Sequence, residues 1–347
     1  MRFFKLVLTL TTFTCLSFPA LAEEHATPDP LFQDDEALNV TITAPLTTLI
    51  KERSKEDYLS GVFQYATVDG DTVNFDLAIR TRGHFRHATC DFPPITLNLK
   101  RKQASGTLFD NQNKLKLVIQ CDKHDRYEQM VLREYIAYRM LNTLTDNSFR
   151  VRLLRVTYVN TEDDGESKTR YAFLIEHKNR LAARLDREDI KIERTTVADI
   201  HADRLNLTSV FQFMIGNTDF SPIAGPPGDE CCHNYVLFGN DVDPIMAIPY
   251  DFDQSGFINA PYALPNEKFR IRSVRQRVYR GRCVNNEYVE ESLSRFRDHR
   301  DAIYEKILEQ EGLDSGVQKQ LVRYIDDFYK LIENPRDVER RIINKCV

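Results

Sequence analysis

Apolar and polar positions alternate with a period of two through much of the first half of the chain. LNVTITA (38–44), GVFQYATV (61–68), TVNFDLAIRTR (72–82), ITLNLK (95–100) and KLKLVIQC (114–121) are β-rich runs, separated by turn signals such as Asp69-Gly70 and Pro93-Pro94. In the last run Leu115, Leu117 and Ile119 alternate with Lys114, Lys116 and Val118, so one face is apolar and the other carries lysines. The period then changes. Tyr127, Met130, Val131, Ala137, Tyr138 and Leu141 recur at helical spacing and predict a long helix over 127–144. RVRLLRVTYV (150–159) and TRYAFLIE (169–176) restore the strand pattern on either side of a polar turn. The expectation is a mostly antiparallel sheet with one inserted helix, ending at Glu176.

Beyond Glu176 the pattern is mainly helical. LNLTSVFQFMIGN (205–217) reads as an apolar helix running into a loop, and NYVLF (234–238) and IMAIPYDFD (245–253) as two strands flanking a turn at Gly239-Asn240-Asp241. From about Glu287 the chain is amphipathic and helical. This predicts a β-rich part over 38–176 and a helical part over 177–347.

The ends and the cysteines add a compartment. Arg2 and Lys5 precede an apolar run from Leu6 to Phe18, and Ala20-Leu21-Ala22 follows, which is the pattern of a cleavable export signal over 1–22. The run falls short of the ~20 apolar residues that a membrane span needs, and no later segment reaches it. Residues 23–37 are acidic, carry Pro28 and Pro30, and read as a flexible leader. Six cysteines remain after the signal, an even number that favours disulfides in an exported chain, periplasmic or secreted. Cys90 and Cys121 flank neighbouring strands and are expected to join. Cys231 and Cys232 are adjacent, so each is expected to reach a distant partner, with Cys283 and Cys346 available. The net charge of −5 argues against broad nucleic-acid binding.

Carboxylates and amides carry the candidate chemistry. Glu134 falls on the apolar stripe of the long helix, where a charge is costly unless a cation meets it; the alternative is a margin position that reaches water. Gly216-Asn217-Thr218-Asp219, His233-Asn234 and Asp251-Phe252-Asp253 form an ordered series that can bring Asp219, Asn234 and Asp251 to one spot. Magnesium and similar hard cations need such oxygens, with a phosphate completing the shell.

This series resembles the CotH kinase-like family, relatives of the protein kinases found in spore coats and secretory systems. The resemblance rests on Arg82-Gly83, on the run from YEQMVLREYIAYRML through RVRLLRVTYV to YAFLIE, and on GNTD, HNYVLF and IPYDFD, covering roughly 73–253. It implies an α+β, two-lobed protein-kinase-like fold, with an N-terminal antiparallel sheet bearing one long helix and a mostly helical C-terminal lobe. It implies ATP with magnesium or manganese as cofactor. Asp219 would accept the substrate hydroxyl's proton, and Asn234 and Asp251 would hold metal, with Asp253 as a further ligand. Lys116, in preference to Lys114 or Lys100 on strand alternation alone, would grip the nucleotide phosphates, Glu134 would be its ion-pair partner, and Glu176 would begin the hinge. The family's pattern is incomplete: there is no glycine-rich phosphate loop, and SPIAGPPGDECC is inserted between Asp219 and His233.

The arginines at 270, 272, 275, 277, 280 and 282 suit an acidic or phosphate-bearing substrate, or a solvated face. Two function classes follow: an exported kinase acting on a protein or small-molecule hydroxyl, and an inactive relative serving as a binding or envelope-structural module. Paired Asp251 and Asp253 would also serve an acid/base hydrolase, with no substrate indicated.

Overall fold

The computed structural model describes residues 26–163 and 167–347; the expected export signal lies outside the described residues. Among the described residues ten strands form: β1 (Leu38–Ala44), β2 (Leu59–Ala66), β3 (Thr72–Thr81), β4 (Ile95–Leu99), β5 (Lys114–Val118), β6 (Val151–Asn160), β7 (Lys168–Ile175), β8 (Glu188–Asp189), β9 (Tyr235–Gly239) and β10 (Met246–Pro249). The helices are α1 (Leu46–Glu52), α2 (Phe85–Thr89), α3 (Arg101–Ala104), α4 (Asp125–Leu144), α5 (Lys178–Arg184), α6 (Ala202–Ile215), α7 (Val289–Asp298), α8 (Arg300–Leu308), α9 (Ser315–Ile332) and α10 (Pro335–Arg341). None of these helices is long and apolar enough to cross a membrane.

The first seven strands close into a barrel in the order β1-β2-β3-β4-β5-β7-β6. Every seam is antiparallel except the closing one, where β1 runs parallel to β6 with Leu38 opposite Leu154 and Ala44 opposite Asn160. This overturns the expected two-lobed protein-kinase-like fold with an N-terminal antiparallel sheet. Alternation along a strand identifies its buried face but not its partner, so it carries no sign that β1 and β6 meet. Side chains from alternate positions fill the barrel: Ile42, Phe63, Phe75, Leu97, Leu115, Leu117 and Leu174 are all nearly or wholly buried, and Phe109 stands edge-on to Phe63 and Phe75.

A second core lies outside the barrel. On β6 and β7, Leu154, Val156, Ala172 and Leu174 point into the barrel, while Val151, Leu153, Phe173 and Ile175 point out against α4. Burial on both faces explains why Leu153-Leu154 and Ala172-Phe173-Leu174-Ile175 depart from strict alternation. The other side of α4 packs into the C-terminal half: Leu132, Ile136 and Met140 share one core with Phe211, Leu293, Ile303 and Phe328. Polar ties reinforce it. The Gln129 amide donates to the Gly312 carbonyl at 2.9 Å, and Arg133 donates to the Ile258 carbonyl at 2.9 Å. Strands β8, β9 and β10 form a separate small sheet in the order β10-β9-β8.

Cys90 and Cys121 are joined as expected. The other pairing differs from expectation: Cys283 is joined to Cys346, and Cys231 to its neighbour Cys232. The reason is at the C-terminus. The amide of Cys283 donates to the Val347 carbonyl and that of Val347 to the Gly281 carbonyl, which sets Cys346 beside Cys283 and leaves the adjacent cysteines only each other. Disulfides, and helices unsuited to spanning a membrane, are compatible with an exported protein.

Candidate active site

A cleft of about 1120 Å³ separates the outer wall of the barrel from the C-terminal half. Lys116, Glu134, Asp219, Asn234, Asp251 and Asp253 all line it, although they come from five different segments.

Helix α6 is buried along almost its whole length and stops at Gly216, whose φ of 66° is open mainly to glycine. A Cβ there would also lie 2.1 Å from the Tyr324 hydroxyl. The following turn is closed by the Asp219 amide, which donates to Asn217 Oδ1 at 2.9 Å. Arg280 holds the turn from behind, donating to the carbonyls of Thr218 at 2.9 Å and Phe220 at 2.6 Å while stacking over the Phe220 ring. Both Asp219 carboxylate oxygens are engaged: Oδ1 lies 2.7 Å from His233 Nε2, and Oδ2 accepts from Asn234 Nδ2 at 3.1 Å. The bond between Asp219 and His233, against the opposing effect of burial, raises the His233 pKa and favours the imidazolium.

Asn234 and Asp251 share a backbone peculiarity. Their φ angles are 54° and 60°, in the left-handed region that few residue types other than glycine visit. The Tyr250 amide ties them together by donating to the Asn234 carbonyl at 3.0 Å. Helix α4 fixes the second: the Asp251 amide donates to the buried Tyr138 hydroxyl at 2.8 Å, and Phe252 packs between Tyr138 and Phe211. The sequence placed 245–253 on one strand, but β10 ends at Pro249, so Asp251 and Asp253 stand on a loop.

Asp253 is 6% exposed and accepts from the Tyr262 hydroxyl at 3.2 Å. Burial, and then the neighbouring Asp251 carboxylate, push its pKa up to about 7. Glu134 lies deeper still. Its ion-pair partner is Arg86 of α2, at 3.8 Å, and Arg86 also donates to the Ile119 carbonyl. Burial and the nearby Asp253 and Asp251 raise the Glu134 pKa, with Arg86 opposing them. Sequence reasoning missed Arg86; the only signal was a cation three residues past the Arg82-Gly83 turn. Lys116, cast in the sequence as partner to Glu134, instead lies 5.0 Å from the Tyr250 ring centroid. Solvent reaches it from the cleft, yet the surrounding protein and Arg82 depress its pKa to about 8, with Asp251 acting in the opposite direction.

Glu176 is not among the cleft-lining residues, although Ile175 and His177 on either side of it are. It is buried against Arg184, with Oε2 3.0 Å from Nη2, and accepts from the Arg150 amide at 3.1 Å. The arginine-rich stretch is also divided. Arg277 donates to the Met214 and Tyr324 carbonyls and Arg280 holds the Asp219 turn, while Arg270 and Arg272 are exposed.

Among the described residues no group of three His, Cys, Asp or Glu side chains converges into a ready-made metal cage. Magnesium rarely uses one; it is usually held by one or two carboxylates, with waters and substrate phosphates completing the octahedron. The residues here fit that mode. No hydrogen bond engages the Asp251 carboxylate among the described residues, and Asp253 beside it resists ionisation, so the pair gains from a nearby cation. No protein-family model matches this chain, and no curated protein matches it at a significant level.

Proposed function

We propose that the protein is an exported, metal-dependent phosphotransferase that moves the γ-phosphate of ATP to a hydroxyl group of a protein or small molecule. This is the activity implied by the resemblance to the CotH kinase-like family. The carrying observation is the meeting of Lys116, Asp219, Asn234, Asp251 and Asp253 around one cleft spacious enough for a nucleotide.

Each residue has a part in that chemistry. Lys116 attracts the phosphates of the nucleotide. Asp219 orients the acceptor hydroxyl and takes its proton as the hydroxyl oxygen bonds to the γ-phosphorus; the bond from that phosphorus to the bridging oxygen breaks, and ADP leaves. Asp251 and Asp253, with the Asn234 amide oxygen, would hold magnesium or manganese, which supplies neutralisation of phosphate charge. Arg280 and Tyr138 act at one remove, fixing the backbone on which Asp219 and Asp251 stand.

The test is thermal denaturation of the purified chain with ATP and either metal. A ligand at a hundredfold its dissociation constant stabilises by ~2.7 kcal/mol, a readily measured rise in Tm. If no nucleotide raises Tm with either metal, the proposal fails. The same assay has an expected pH profile. The Lys116 ammonium is charged below its pKa of about 8, so ATP affinity is greatest there and declines as pH rises through 8. Lys116→Met removes that decline; an unchanged profile in the variant would detach Lys116 from the phosphates.

A second reading, an inactive binding module, is favoured by one observation: both Asp219 oxygens already have partners. Nucleotide-dependent stabilisation without transfer to any acceptor is its signature.

A further inference from the structure

One end of the barrel carries a second cavity, of about 420 Å³, which shares no lining residue with the acidic cleft. Leu49, Phe92, Ile95 and Ile119 form its floor, and Leu46 and Ile50 of α1 form one side. Barrel mouths are a recurrent place for small-molecule sites, and an apolar enclosure of this size with few polar groups is their usual form.

Two of those polar groups lack partners among the described residues. Gln120 is 7% exposed, and its buried Oε1 has no hydrogen-bond partner there; the buried Tyr158 hydroxyl has none either. Both residues line this cavity. A buried polar atom without a partner costs free energy, and two in the wall of one cavity are groups that a ligand could satisfy. The rim is cationic. Arg170 is already paired with Asp125 at 3.0 Å and Glu128 at 3.6 Å, but Lys123 and Lys168 are exposed and make no ion pair among the described residues. Asp163, the one rim carboxylate among the described residues, accepts from Asn160 at 2.6 Å.

We infer that this cavity binds a small amphipathic hydroxy acid. Its apolar chain lies on the floor, its hydroxyl donates to Gln120 Oε1 and accepts from Tyr158, and its carboxylate faces Lys123 and Lys168. The inference is independent of phosphoryl transfer in the cleft.

The experiment is titration calorimetry of the full chain with 3-hydroxydecanoate, decanoate and decanol. The expected result is one saturable site per chain for both acids, with the hydroxy acid bound at least fivefold more tightly and decanol at least tenfold more weakly than decanoate. Gln120→Leu erases the preference for the hydroxy acid. The double variant Lys123→Gln/Lys168→Gln, confined to exposed side chains, weakens both acids at least tenfold. Ile50→Glu, which brings a carboxylate to the cavity wall, weakens them as much, and 1 mM ATP with magnesium does not compete. Absence of saturable binding by either acid overturns the assignment, as does binding undiminished in the lysine double variant. Association with anionic phospholipid vesicles alone, without a free-acid site, also overturns it and marks the patch as membrane-facing.

Discussion

Asp251→Asn is expected to lower phosphoryl transfer roughly a thousandfold and to remove the metal-dependent part of nucleotide stabilisation, while the apo protein melts within a few degrees of wild type. Asparagine is the informative replacement. It keeps the size of the side chain and is among the few residues that accept the left-handed conformation found at this position, so the backbone has little reason to move. What changes is one negative charge where the nucleotide's metal would sit. Lewis-acid assistance is worth several kcal/mol of barrier, and each 1.36 kcal/mol is a factor of ten, which sets the expected size. Full transfer activity in this variant would remove the metal from Asp251 altogether. A collapse of the apo Tm would mean that the carboxylate acts on stability instead.

The second large effect concerns Arg86. Arg86→Met should destabilise the fold by about 3–5 kcal/mol, because it leaves Glu134 buried beside Asp251 and Asp253 without its cation. Pairing it with Glu134→Gln should restore much of that loss, since the double variant no longer buries a lone carboxylate. Urea unfolding of the two single variants and the double variant closes the cycle. A cost below about 1 kcal/mol for Arg86→Met, or a double variant no more stable than Arg86→Met alone, would show that the pair does not hold this region together.

Much of the local structure was legible in the chain. Leu115 and Leu117 against Lys114 and Lys116 correctly divided β5 into a barrel-facing side and a cleft-facing side. The helical stripe ending near Leu144 and the apolar segment ending at Gly216 became α4 and α6. The long-range contacts were not legible. The parallel seam between β1 and β6 depends on strands separated by most of the N-terminal half, and no local pattern records it. The partner of Glu134 is another example: burial on an apolar stripe demanded a cation, but the demand does not say which one. The lysine chosen from strand alternation faces the cleft, whereas the arginine that meets Glu134 arrives on a five-residue helix with no apolar face to mark it. Glu176 was expected to close a strand, but β7 ends one residue earlier at Ile175, and the Glu176 side chain turns toward Arg184, a contact set by α5 and invisible in the strand pattern.

Because α4 is embedded on one side by β6 and β7 and on the other by α8 and its neighbours, the walls of the cleft are fastened to a common beam. A jaw-like rotation of barrel against helices would have to tear buried side chains from both. If the cleft takes a substrate as proposed, its admission and release fall to the segment carrying Pro226, Asp229, Glu230 and Cys232, which borders the opening and packs on the small-sheet core instead of the central one.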